Sequence, residues 1–213
     1  MKKILLLLAL TLPFAGLANA DTCGVGDFGS SSYGAPGFSC TIGDLTFSDF
    51  SYNSAILPGS QVAVIPTIDG GESGFTFSAA WAVASGQSID SLIGYTVTAG
   101  SASISDLVLS ISGYGVTGDG FLSVAENASN GVDLYVCVGD PSCASPPIDS
   151  AIFDPVASLT IVKDISVSGL FGGTASLSSV VNEVSEVPEP ASLTLLGTGL
   201  LGLGGLLRRK LRS

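Results

Sequence analysis

A chain of 213 residues without a single histidine excludes much familiar chemistry before any fold is considered. No Ser-His or Cys-His pair and no imidazole-bound metal can be assembled from it. Its arginines, Arg208, Arg209 and Arg212, all fall within the last six residues. The body of the chain therefore lacks the usual clamp for phosphate or carboxylate. Between Lys3 and Arg208 stands one basic residue, Lys163; set beside Asp164 in a strand-like stretch, it reads as a surface charge. What remains is carboxylate, 18 Asp and Glu in all. Paired carboxylates can hydrolyse glycosides, but no spacing singles out a pair, and the expectation is that the chain is not an enzyme. Hard oxygen ligands suit calcium. The candidates are Asp69 and Glu72 in "IDGGESG" and Asp119 in "GYGVTGDGF". None sits in a D-x-D-x-D-G loop, and Asp before Gly reads first as a turn. Calcium is thus the only cofactor the residues suggest.

Four cysteines, Cys23, Cys40, Cys137 and Cys143, allow three pairings. Cys23–Cys40 with Cys137–Cys143 closes the shortest loops and is the expected one. The first loop, "GVGDFGSSSYGAPGFS", is rich in Gly and Ser and builds no core of its own. A bridge across it contributes about 3 kcal/mol on a chain-entropy account. Residues 21–186 hold 17 of the acidic residues against Lys163 alone, a net charge of −16. Such a surface repels nucleic acid and anionic lipid. It repels acidic polysaccharide as well, unless divalent cations bridge the two.

The elements that must carry these residues follow a period of two. Phe75, Phe77, Ala79, Trp81 and Val83 alternate with smaller or polar neighbours, as strands with one apolar face do. Tyr95-Thr96-Val97-Thr98-Ala99 repeats the pattern, as do Leu107, Leu109 and Ile111, and then Leu159 and Ile161. Further strands are predicted over 41–50, 61–66, 120–126 and 132–138, with a bulge or strand end near Asp49 where the apolar phase shifts. Residues 174–186 fit a last, closing strand. Turn clusters such as "DGGESG" and "ASNGVD" separate these segments. The pattern predicts an all-β fold, a β-sandwich of jelly-roll or immunoglobulin-like type with about 8–9 antiparallel strands. Tyr33, Tyr52, Tyr114 and Tyr135 are the candidates for a sugar-stacking platform.

Both ends read as addresses. Met1-Lys2-Lys3, an apolar run and Ala18-Asn19-Ala20 make a signal peptide over residues 1–20, cut by signal peptidase between Ala20 and Asp21. Residues 21–186 form one secreted domain. The run 191–207 has 17 residues without a charge, enough for a short transmembrane helix. Arg208, Arg209, Lys210 and Arg212 behind it act as a stop-transfer signal and keep that end cytoplasmic. Before the helix, Val187-Pro188-Glu189-Pro190 should be extended and rigid.

Pro-Glu-Pro, a glycine-studded apolar helix and a basic cluster, in that order over 187–213, resemble the PEP-CTERM sorting signal. The resemblance implies export across the inner membrane of a Gram-negative bacterium and processing by an exosortase. The protein would end at the cell surface or outside the cell, anchored in passing by its C-terminal helix. The expected role is structural or adhesive, alongside extracellular polysaccharide. The alternative is a calcium-dependent, non-catalytic carbohydrate-binding module. Neither nucleic acid nor any catalytic residue is expected in the domain.

Overall fold

A computed structural model describes residues 21–188. The expected signal peptide, Glu189, Pro190, the expected transmembrane run 191–207 and the basic cluster lie outside these residues. Among the described residues, no helix is long and apolar enough to cross a membrane.

The domain is all-β, with two seven-stranded layers facing each other across one core. The first sheet runs β1 (Asp21–Thr22), β3 (Ser39–Ile42), β4 (Leu45–Asn53), β7 (Ser88–Ala99), β13 (Ser158–Ser168), β10 (Phe121–Ala128) and β11 (Asp133–Val138). The second runs β12 (Ile148–Val156), β8 (Ala102–Ser112), β14 (Thr174–Pro188), β6 (Glu72–Val83), β5 (Ala63–Asp69) and β2 (Gly26–Asp27), with β9 (Gly115–Thr117) beside one end of β14. Every pairing is antiparallel except the short β1–β3 contact.

The described residues form 14 strands, not the 8–9 expected. The excess comes from β1, β2 and β9, two or three residues each and too short to show a period. A fourth, β12, is an edge strand whose residues are all exposed or half-buried, so alternation is faint there. The predicted 41–50 segment also splits, at the tight turn Gly43-Asp44, into β3 and β4.

The core is built from the strands' inward rows. Phe75, Phe77, Trp81 and Val83 of β6 meet Ile93, Tyr95 and Val97 of β7 and Leu107 and Leu109 of β8. The register of β4 against β7 shifts between Ser48 and Ser51, and Asp49 adopts a left-handed backbone with φ of 54°. This is the phase change expected near Asp49. It lets Phe47 and Phe50, three residues apart, both turn inward; their rings lie 6.0 and 5.7 Å from that of Tyr95. Residues 174–188 form the last strand, but a central one: β14 lies between β8 and β6. It runs past residue 186, where the domain was expected to end, as far as Pro188.

Candidate functional site

The inward rows of three strands each carry one polar residue. On β10 the row is Leu122, Val124, Glu126, Ala128; on β13 it is Leu159, Ile161, Lys163, Ile165, Val167; on β14 it includes Val180, Asn182 and Val184. Glu126 and Lys163 are direct partners across the β10–β13 ladder. Asn182 reaches them from the opposite sheet, and Tyr95 of β7 closes the group.

Lys163, Glu126 and Asn182 have no solvent exposure and Tyr95 has 1%. Lys163 is therefore not a surface charge: strand parity turns its side chain into the core. Its Nζ lies 3.0 Å from Glu126 Oε2, an ionic contact that is this oxygen's only polar partner. The same nitrogen donates to Asn182 Oδ1 at 2.5 Å. Asn182 Nδ2 donates to Glu126 Oε1 at 3.0 Å and to the Val108 carbonyl at 2.9 Å. The Tyr95 hydroxyl donates to Asn182 Oδ1. With donors facing Oδ1 and acceptors facing Nδ2, the amide has one orientation. The Lys163 Nζ lies 4.7 Å from the Tyr95 ring centroid and 5.6 Å from that of Phe77.

Burial pushes the Glu126 carboxyl up and the Lys163 amine down; their mutual attraction opposes both shifts. Burial also raises the Tyr95 hydroxyl well above its ordinary value, so it keeps its proton and remains a donor. β6 comes very close at this point. A Cβ built on Gly74 would lie 2.0 Å from the Asn182 carbonyl oxygen, so only glycine leaves room for the Asn182 backbone. The group is an amine, an amide, a carboxyl and a phenol in mutual contact and sealed from water. Its chemistry is confined to its own members.

The residues singled out in the sequence are scattered. Asp69 and Glu72 face each other across the β5–β6 hairpin, whose turn is Gly70-Gly71 with φ of 59° and 102°. Asp119 lies between β9 and β10. Thr117 pairs with Thr174 and Glu72 with Ser185, so Asp119 and the hairpin acids stand near opposite ends of β14, about 35 Å apart by strand rise. No three acidic or other ligating side chains gather in a metal-holding group among the described residues. Cys23 bonds Cys40 and Cys137 bonds Cys143. Tyr33 is buried, hydrogen-bonded to the Gly24 carbonyl, and is not available as a surface platform. Tyr52 is half-buried and shares Ser91 Oγ with the Trp81 indole. Only Tyr114 and Tyr135 are exposed.

Asn182 in its buried setting was missed in the sequence, and so were Glu126 and the inward turn of Lys163. Parity was the available signal: each polar residue occupies an apolar position in its strand's alternation.

No curated protein matches the chain by sequence. Among solved structures it is similar to TmCBM61 in complex with beta-1,4-galactotriose, at 12% identity over 66% of this chain and 89% of that one, with a TM-score of 0.31. It is also similar to the enzymatically active domain of bacteriophage CBA120 tailspike protein 4, at 12% identity over 69% of this chain but only 20% of that one, with a TM-score of 0.26. Likenesses this distant carry no argument about activity. The family model of the PEP-CTERM protein-sorting motif matches residues 186–210, beginning on the last rungs of β14. That motif implies export, surface sorting and an exosortase as processing partner. The chain carries a PEP-CTERM protein-sorting motif at its C-terminal end.

Proposed function

We propose that this chain is an exosortase-processed structural or adhesive component of the cell surface or the extracellular polysaccharide matrix, without catalytic turnover. The observation that carries the reading is the sorting motif joined directly to a central strand of a two-sheet domain. An address fused to a rigid body suits a displayed building block. The polar group in the core supports the non-catalytic part of the reading, since no substrate from outside can reach side chains with no exposure. The calcium-dependent carbohydrate module is the second reading. It fits less well, because the tyrosines that would stack on sugars are divided between core and surface.

The test replaces Pro188-Glu189-Pro190 with three alanines. Export should persist through the signal peptide, and membrane insertion through the 17 uncharged residues. Only the cut should fail, leaving a longer, membrane-held species in a host with an exosortase. A size and fractionation blot of both forms, with and without that enzyme, reads the outcome. Equal mass and equal release in all four samples would overturn the sorting role. A glycan array with and without calcium decides between the two readings of the domain, and calcium-dependent binding to one sugar class would favour the second.

A further inference from the structure

We propose that Lys163 and Asn182 become joined by an intramolecular amide bond, formed by the protein on itself with Glu126 as the proton carrier and Tyr95 as the donor to the carbonyl oxygen. Four observations support it, beginning with distance. The amide C=O bond is about 1.23 Å long, so a nitrogen at 2.5 Å from Oδ1 lies within about 3.7 Å of Cγ. That is close to the separation of about 3–3.5 Å from which a nucleophile attacks.

The second observation is the placement of Glu126. One carboxyl oxygen contacts the lysine nitrogen and the other accepts from the asparagine Nδ2. A single group thus touches both the nitrogen that must lose protons and the nitrogen that must gain them. The third is the Tyr95 hydroxyl, which already donates to the oxygen on which negative charge develops. The fourth is the dry setting: all four side chains lie in the core, where burial drives the Glu126–Lys163 pair towards its uncharged form. An uncharged amine is the nucleophile the step requires.

The step balances without oxidant or reductant. Lys163 passes a proton to Glu126, and the free amine attacks Asn182 Cγ. The tetrahedral oxygen is held by Tyr95. Glu126 delivers its proton to Nδ2 and, a carboxylate again, takes one from the attacking nitrogen. The Cγ–Nδ2 bond breaks and ammonia leaves, picking up the remaining proton as ammonium. The product is a Lys163 Nζ–Asn182 Cγ amide that links β13 of one sheet to β14 of the other. The reaction occurs once per molecule and is not turnover.

The sequence supplies an unusually clean test. Between Lys3 and Arg208 the only trypsin site is Lys163. The full chain is purified, reduced, denatured and digested. If Lys163 is acylated, the stretch between the two ends stays in one piece, and the intact protein weighs about 17 Da less than its reduced sequence through loss of ammonia. Fragmentation should place the link at Lys163 and Asn182. Glu126→Gln, which keeps the shape of the side chain, should restore the full mass and the cut after Lys163. Lys163→Arg should restore the full mass while circular dichroism shows whether the sheet persists. A folded wild-type chain of full mass that trypsin splits at Lys163 overturns the proposal and leaves an ordinary buried ion pair. Loss of about 18 Da, as water, would mean a Lys163–Glu126 amide and would equally overturn it. A link that persists in Glu126→Gln would remove the glutamate from its role.

Discussion

A lone lysine in the core needs a reason, because removing an ammonium from water costs several kcal/mol even with a partner close by. Here it is met on every side by Glu126, Asn182 and two aromatic rings. Glu72 shows the opposite case, a carboxylate among its own kind. Partial burial, then the charges of Asp106, Glu183 and Asp69, raise its pKa. A carboxyl with a raised folded-state value binds its proton more tightly folded than unfolded. Its ionisation therefore removes stability as pH rises from the unfolded value through the folded one. Glu72→Gln is expected to stabilise the fold at neutral pH, by less than about 1 kcal/mol because solvent screens the site, and so to raise the thermal midpoint. The gain should vanish near pH 3, where the glutamate is protonated in both states. Thermal melts of the two proteins at the two pH values measure it, and an equal gain at both would show that charge is not the cause. Lys163 also marks the limit of what the sequence makes legible. Its row reads Leu159, Ile161, Lys163, Ile165, Val167, so parity places it inside while residue type suggests outside. Parity prevailed because four apolar neighbours and a cross-strand glutamate outweigh the desolvation of one charge.

At the scale of the element, strands with strong alternation were legible, and those without it were not. β6, β7, β8 and β13 bury every second residue over much of their length and could be read directly. β12 carries Ile152 at 88% exposure and Pro155 within an edge strand, so no burial imposed a pattern on it. The group in the core was not legible as a group, because its members come from strands whose neighbours only the sheet order reveals. The bulge in β4 was legible, as a phase change, and it can be tested. Asp49 holds a left-handed conformation that costs an L-residue about 1–2 kcal/mol. Asp49→Gly should therefore be neutral or stabilising by up to about 1 kcal/mol. Deleting Asp49 should be tolerated as well. It takes out the extra residue of the bulge and leaves Phe47, Phe50 and Tyr52 in plain alternation on the core face, so the cost should stay below about 1 kcal/mol. Urea unfolding midpoints of the two variants measure both effects. Loss of more than about 3 kcal/mol on deletion would mean that Asp49 is not the extra residue and that Phe50 and Tyr52 need it to face the core.

For the whole molecule, the burial of Lys163 leaves residues 21–186 with no lysine or arginine at the surface, only 16 acidic side chains besides the buried Glu126. The domain has an anionic exterior and a closed interior, and it is joined to its address through β14. That connection bears on mechanics. On the proposed adhesive role, with the tail held and the domain pulled, tension enters at Pro188. The strand there is paired with β8 from its last residue, Pro188 opposite Ala102, and with β6 from Ser185 opposite Glu72. Load along β14 therefore shears two ladders at once, whereas an edge strand pulled across its ladder would unzip one bond at a time. Single-molecule pulling between residues 21 and 188 should give a high, sharp rupture force. With Lys163 changed to Arg, the force should fall if the two sheets are also joined at residue 182. A low plateau in the unaltered protein would show instead that β14 peels. A central last strand turns the sorting tail into a tether that grips both of its neighbours along most of its length.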